Sequence, residues 1–93
     1  MIEVIIAMTI ALTNLGYNQT EIQCAANIVK VESNYHPTSF NKTSKAAGMY
    51  QIVGLKLPMT IVGQTKQFNA YLHQRYKGSA CKAWLFWQKN KWY

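Results

Sequence analysis

Ninety-three residues, 49% of them hydrophobic, suffice for one domain spanning 1–93; a multidomain machine is excluded, and so is default disorder. Ten Lys and Arg face three acids, all Glu, so acid-dependent chemistry must pass through Glu3, Glu21 or Glu32. The net charge of +7 lies wholly in residues 47–93, a half that either attracts polyanions by its long-range field or forms a solvated basic face.

Residues Glu3–Leu15 are apolar on nearly every face and are followed by Gly16, which predicts a mostly buried first helix. The run is too short to span a bilayer. Glu3 in front of it, and the want of a small-x-small cleavage site, argue for a retained helix rather than a secretion signal. No export signal is visible. Two overlapping capping boxes, Asn18–Glu21 and Thr20–Gln23, start a second helix near residue 19 or 21. It runs to about Ser33, because Pro37 bars helical geometry at His36. Asn34–Ala47 reads as a long surface loop, Gly48–Val53 as a short helix or turn, and Gly54–Gly63 as irregular. Helical spacing returns over Gln64–Tyr76 and stops at Gly78. Ser79 caps a final helix, Ala80–Lys89. No segment makes a persuasive strand pair, so the fold class expected is all-α. Cys24 and Cys81 have no metal-type cluster around them; they are either bridged or two buried free thiols. No metal and no cofactor are expected.

On the second helix Ile22, Ala25, Val29 and Glu32 fall at spacings 3, 4 and 3, which sets a carboxylate at the end of an apolar stripe. Burial there would favour the neutral acid and make it a proton donor near neutral pH. Periodicity alone leaves open a frayed helix end with Glu32 in solvent. A phosphate loop, a Ser-His-Asp triad and a Cys-His pair all lack members. Hydrolysis or rearrangement of a sugar acetal needs chiefly a proton on the leaving oxygen. Glycosidases commonly use two carboxyls about 5–9.5 Å apart, but Glu21 lies roughly 16 Å from Glu32 along one helix. Glu3 is not excluded by distance, yet nothing around it suggests a site. One carboxylate working alone is the economical reading.

Val31-Glu32-Ser33, Pro37 and Gly48-Met49-Tyr50-Gln51-Ile52 together resemble the Glu-Ser and Gly-Leu-Met-Gln elements of soluble lytic transglycosylase-like domains, relatives of goose-type lysozymes. The tail Tyr71-Leu72-His73-Gln74-Arg75-Tyr76-Lys77-Gly78-Ser79, with Ala83-Trp84 and Trp92-Tyr93, is similar to the end of small members of that family from bacteria and phages. The resemblance covers residues 19–93. It implies a small lysozyme-like helical domain with a loop-lined glycan cleft, which cleaves the MurNAc–GlcNAc linkage of peptidoglycan and leaves 1,6-anhydro ends. Glu32 would be the catalytic acid and base. Ser33 would orient substrate, Gly48 would permit close backbone approach, and Gln51 would meet N-acetyl groups. Tyr50 would stand in the groove, and Tyr76, in preference to Tyr71, would take the place of the family's later tyrosine.

The sequence departs from the family in Met49 and Tyr50, in Lys77-Gly78, and in its shortness. The implied partner is the peptidoglycan glycan strand, with anionic wall polymers as a further attraction. The implied place of action is the bacterial wall, as a monomer; nucleic acid is not expected. The alternatives are hydrolysis of the same bond, or a non-catalytic cationic module for wall glycan, membrane or nucleic acid. Trp84, Phe86, Trp87 and Trp92 read as core rather than sugar platforms, and His36 and His73 as surface residues.

Overall fold

A computed structural model describes residues 1–93. Its elements in order are α1 (Ile2–Asn14), α2 (Gln19–Ser33), β1 (Ala46–Ala47), β2 (Ile52–Val53), α3 (Ile61–Arg75) and α4 (Ala80–Asn90). The fold is mainly helical, with one small hairpin.

Local chemistry accounts for most of the helix ends. The Asn18 side chain accepts from the Glu21 amide at 2.9 Å, so α2 starts at the earlier of the two expected positions; the return half of the box does not form, because the Glu21 carboxylate turns to α4 instead. Asn34, in the left-handed region at φ 50°, ends it. Ser79 caps α4 as expected, accepting from the Lys82 amide at 3.1 Å. Thr60 does the same for α3 through the Gly63 amide at 3.0 Å, and this starts the helix earlier than the sequence spacing indicates. In α1 the reading of a mostly buried helix needs correction. Met8, Ala11 and Leu12 are buried, but Ile2, Ile6 and Ile10, four residues apart on one stripe, are each more than half exposed.

The chain packs as two helix pairs, α2 on α4 and α1 on α3. Three ties join α2 to α4. Near both N-termini, Glu21 Oε1 accepts from the amides of Ala80 at 2.5 Å and Cys81 at 3.3 Å, and its Oε2 accepts from Ser79 Oγ at 3.0 Å. One turn on, Cys24 and Cys81 form a disulfide. Near the C-termini, Trp87 reaches Glu32. The same order of ties along both helices means that they run parallel. A carboxylate across the open amides of a helix N-terminus is electrostatically favoured there, so Glu21 is fully engaged in structure. The bonded cysteines are consistent with an oxidising, extracytoplasmic compartment. No helix is long and apolar enough to cross a membrane.

Between the helix pairs lies an aromatic core. Tyr50 stacks on Phe68 with centroids 4.2 Å apart and planes 13° apart, and Tyr93 meets Phe68 edge-on. Polar ends inside this core are satisfied: Tyr50 Oη pairs with Thr65 Oγ1 at 2.8 Å, and Tyr93 Oη donates to the Tyr50 carbonyl at 2.5 Å.

The expectation of no strand pairing fails over residues 46–53, where Ala46 pairs with Val53 and Ala47 with Ile52 in antiparallel register. Each strand has two residues, too few to show an alternating pattern. The turn between them is held by side chains instead. Gln64 lies beneath it, its Oε1 accepting from the Met49 amide at 2.8 Å while its Nε2 donates to the carbonyls of Pro37 and Met59, both at 3.0 Å. Gly48, at φ +82°, makes room for this amide: a Cβ there would lie 2.4 Å from Gln64 Oε1.

Candidate active site

Glu32 occupies the last turn of α2, where the apolar stripe turns from the core toward a cleft of about 470 Å³. The α3 and C-terminal segments supply Tyr71, Arg75, Trp92 and Tyr93 to the cleft wall; the loop and hairpin supply Asn41, Ser44, Ala46, Gln51, Ile52 and Val53. Glu32 is the only acidic side chain among the lining residues. Glu3 is exposed and meets the amino group of Met1, whereas Glu21 is tied to the start of α4.

The carboxyl of Glu32 is half-buried. Its Oε1 accepts from Trp87 Nε1 at 3.2 Å, and Oε2 bonds no group of the protein. Loss of hydration raises its pKa above the ordinary value of 4.5, and the indole donor, which favours the charged form, offsets part of that rise. Trp87 is itself held in place. Trp84 stacks on it with centroids 5.5 Å apart, and Lys91 Nζ lies 5.1 Å from its centroid. The site therefore holds a carboxyl that keeps its proton to higher pH than an ordinary one, with one oxygen hydrogen-bonded and the other free.

Gln51 stands at the hairpin in the left-handed region, φ 52°. For a residue with a Cβ this is a strained setting. Its Nε2 donates to the carbonyls of Gly48 at 3.0 Å and Ser39 at 3.3 Å, which fixes the amide and leaves Oε1 without a donor in the protein. On the opposite wall, Tyr71 Oη donates to the main-chain oxygen of Tyr93 and accepts from Arg75 Nη1 at 3.0 Å.

Of the residues singled out from the sequence, Glu32, Gln51 and Tyr71 line one cleft. The other four do not, and each has a physical reason. Ser33 Oγ donates to the carbonyl of Met49 at 2.8 Å, which ties the end of α2 to the hairpin turn and leaves the side chain buried. Gly48 lies off the cleft lining, and its missing Cβ makes room for the Gln64 amide. Tyr50 lies in the core against Phe68, fully shielded from solvent. Tyr76 is buried too, and donates to the main-chain oxygen of Tyr93 at 3.2 Å. Tyr71, the less favoured of the two tyrosines, is the one that reaches the cleft.

Trp87, Trp92 and Arg75 join the site without having been singled out for it. Of the aromatics expected in the core, Trp84, Phe86 and Trp87 do pack against it, and Trp87 serves the carboxyl as well; Trp92 departs from the expectation, half exposed at the cleft wall. A signal for Trp87 existed. If Cys24 and Cys81 bridge parallel helices, Glu32 lies about 12 Å and Trp87 about 9 Å beyond the bridge, nearly level.

Set against known protein families, curated proteins and solved structures, the chain matches none.

Proposed function

We propose that this chain is a peptidoglycan lytic transglycosylase acting on the β-1,4 linkage between N-acetylmuramic acid and N-acetylglucosamine. The observation that carries the reading is the isolation of Glu32: a half-buried carboxyl with raised pKa, the only acidic side chain in a groove with aromatic and amide walls. The Glu-Ser and Gly-x-x-Gln elements support it from the sequence, and the disulfide is compatible with work at the cell wall.

In this reading the protonated Oε2 of Glu32 gives its proton to the glycosidic oxygen as the C1–O bond breaks. No second acidic side chain lines the cleft to trap the cationic sugar, so the carbonyl oxygen of the substrate's own N-acetyl group closes on C1. The muramyl C6 hydroxyl then attacks C1, the acetamide oxygen leaves, and the hydroxyl proton returns to Glu32. The enzyme is restored and a 1,6-anhydro ring is formed. Gln51 Oε1 serves as acceptor for an acetamido N–H, and Trp92 offers a face to a sugar ring. General acid catalysis of this kind supplies about 10²–10⁴-fold in rate.

Mass spectrometry of purified peptidoglycan digested by the protein tests the assignment. Fragments one water lighter than reducing-end fragments are expected. Reducing ends alone would make the protein a hydrolase of the same bond, and intact strands would remove the enzymatic reading.

A further inference from the structure

Arg75 is the one cation in the cleft wall, and it has no acidic partner. The chain's only ion pair joins Glu3 to the amino group of Met1. Arg75 and Glu32 share the cleft without forming a salt bridge. The guanidinium is nonetheless fixed in position. Its carbon lies 5.1 Å from the Trp92 centroid, 5.6 Å from that of Tyr71 and 5.8 Å from that of Tyr76, and Nη1 donates to Tyr71 Oη at 3.0 Å. That bond occupies one of five N–H donors. Tyr71 is braced in turn by its bond to the main-chain oxygen of Tyr93.

A surface Arg at the end of a helix ordinarily extends into water, where it loses little by having no partner. Here the group stays exposed, but aromatic faces and the Tyr71 hydroxyl orient its plane while its remaining donors stay open, an arrangement suited to gripping a planar anion by two parallel hydrogen bonds. Neutral sugar hydroxyls give such a fork no particular advantage. A carboxylate does.

We propose that Arg75 is a specificity residue, which selects glycans bearing a carboxylate on the muramyl lactyl ether arm over uncharged amino-sugar polymers. The inference rests on the reading of the cleft as a glycan-cleaving site. The shared chemistry is a carboxylate hung from the sugar's 3-position. Its source is either the free lactyl acid of strands without peptide or an acidic group of an attached stem peptide.

The test measures kcat/KM of wild type, Arg75→Gln and Arg75→Lys on three substrates: strands with stems, strands stripped of stems, and stripped strands whose lactyl carboxyl has been reduced to the alcohol. Wild type is expected to prefer carboxylate-bearing strands to reduced ones. Arg75→Gln should shrink that preference about 10- to 100-fold, the range for a hydrogen bond to a charged group, and Arg75→Lys should restore it in part. Loss of preference on stripped strands assigns the lactyl acid; loss confined to stem-bearing strands assigns the peptide. A ratio that stays at the wild-type value in Arg75→Gln, whatever the total activity, overturns the proposal while leaving the enzyme reading intact. A wild type that cleaves none of the three overturns both. Circular dichroism of the variants confirms that the ratio is read on folded protein.

Discussion

The indole of Trp87 and the carboxyl of Glu32 stand 55 positions apart in the chain and are joined by a hydrogen bond of 3.2 Å. The two act on Glu32 in opposite senses: burial disfavours its charge, and the indole N–H favours it. Trp87→Phe removes the donor and keeps most of the ring. The pKa of Glu32 should then rise further, and the alkaline limb of the pH–rate profile, where the general acid loses its proton, should move to higher pH. With one carboxyl oxygen no longer fixed, kcat should fall about tenfold, a loss of roughly 1.4 kcal/mol in transition-state stabilisation. A pH–rate profile of the variant beside the wild type checks the direction.

Gly48 and Gln64 form a second coupled pair. The left-handed φ of +82° and the 2.4 Å approach that a Cβ would make to Gln64 Oε1 act together, so Gly48→Ala should force out an amide that holds three main-chain groups. The expected cost is about 2–4 kcal/mol, combining backbone strain with buried groups left unpaired. Urea unfolding measures it. The hairpin carrying Gln51 should loosen at the same time.

Reduction of the Cys24–Cys81 bridge should lower stability by about 4 kcal/mol in the chain-entropy model, for a separation of 57 residues. The Glu21 contacts lie one turn away and persist without it, so the reduced protein should keep α2 and α4 paired when cold and melt at a lower temperature. Thermal scans with and without reductant show the difference. Glu21→Ala added to the reduced protein should cost a further 1.5–3 kcal/mol, about that of hydrogen bonds to a charged group.

Legibility from sequence followed the range of the interaction. Helices α2 and α4 were visible because Asn18 and Ser79 cap them within four residues, and Glu32 because its neighbours on the stripe are one turn away. The hairpin was not visible: its strands are too short for a pattern and rest on Gln64, which reads simply as a helical residue. The exposed stripe of α1 escaped because Ile2, Ile6 and Ile10 carry the same letters as a buried face. Trp87, Arg75 and Trp92 reach the cleft through packing of α3, α4 and the last residues against α2, which local spacing does not encode. Tyr50 and Tyr76 were drawn toward the cleft by the family resemblance, whereas the core needed their rings.

Glu32→Gln isolates the proton donor, because the amide keeps the size of the acid and an oxygen for Trp87 but has no acidic proton to give. Burial raises the Glu32 pKa, so the folded state binds its proton more tightly than the unfolded chain. Its contribution to stability is complete below 4.5 and is lost as pH rises through the higher folded value. The variant escapes that loss and should be at least as stable as wild type at neutral pH. A folded Glu32→Gln protein is expected to release muropeptide fragments from purified peptidoglycan about 10³-fold or more slowly than wild type; a folded variant that cleaves at the wild-type rate would rule out Glu32 as the proton donor.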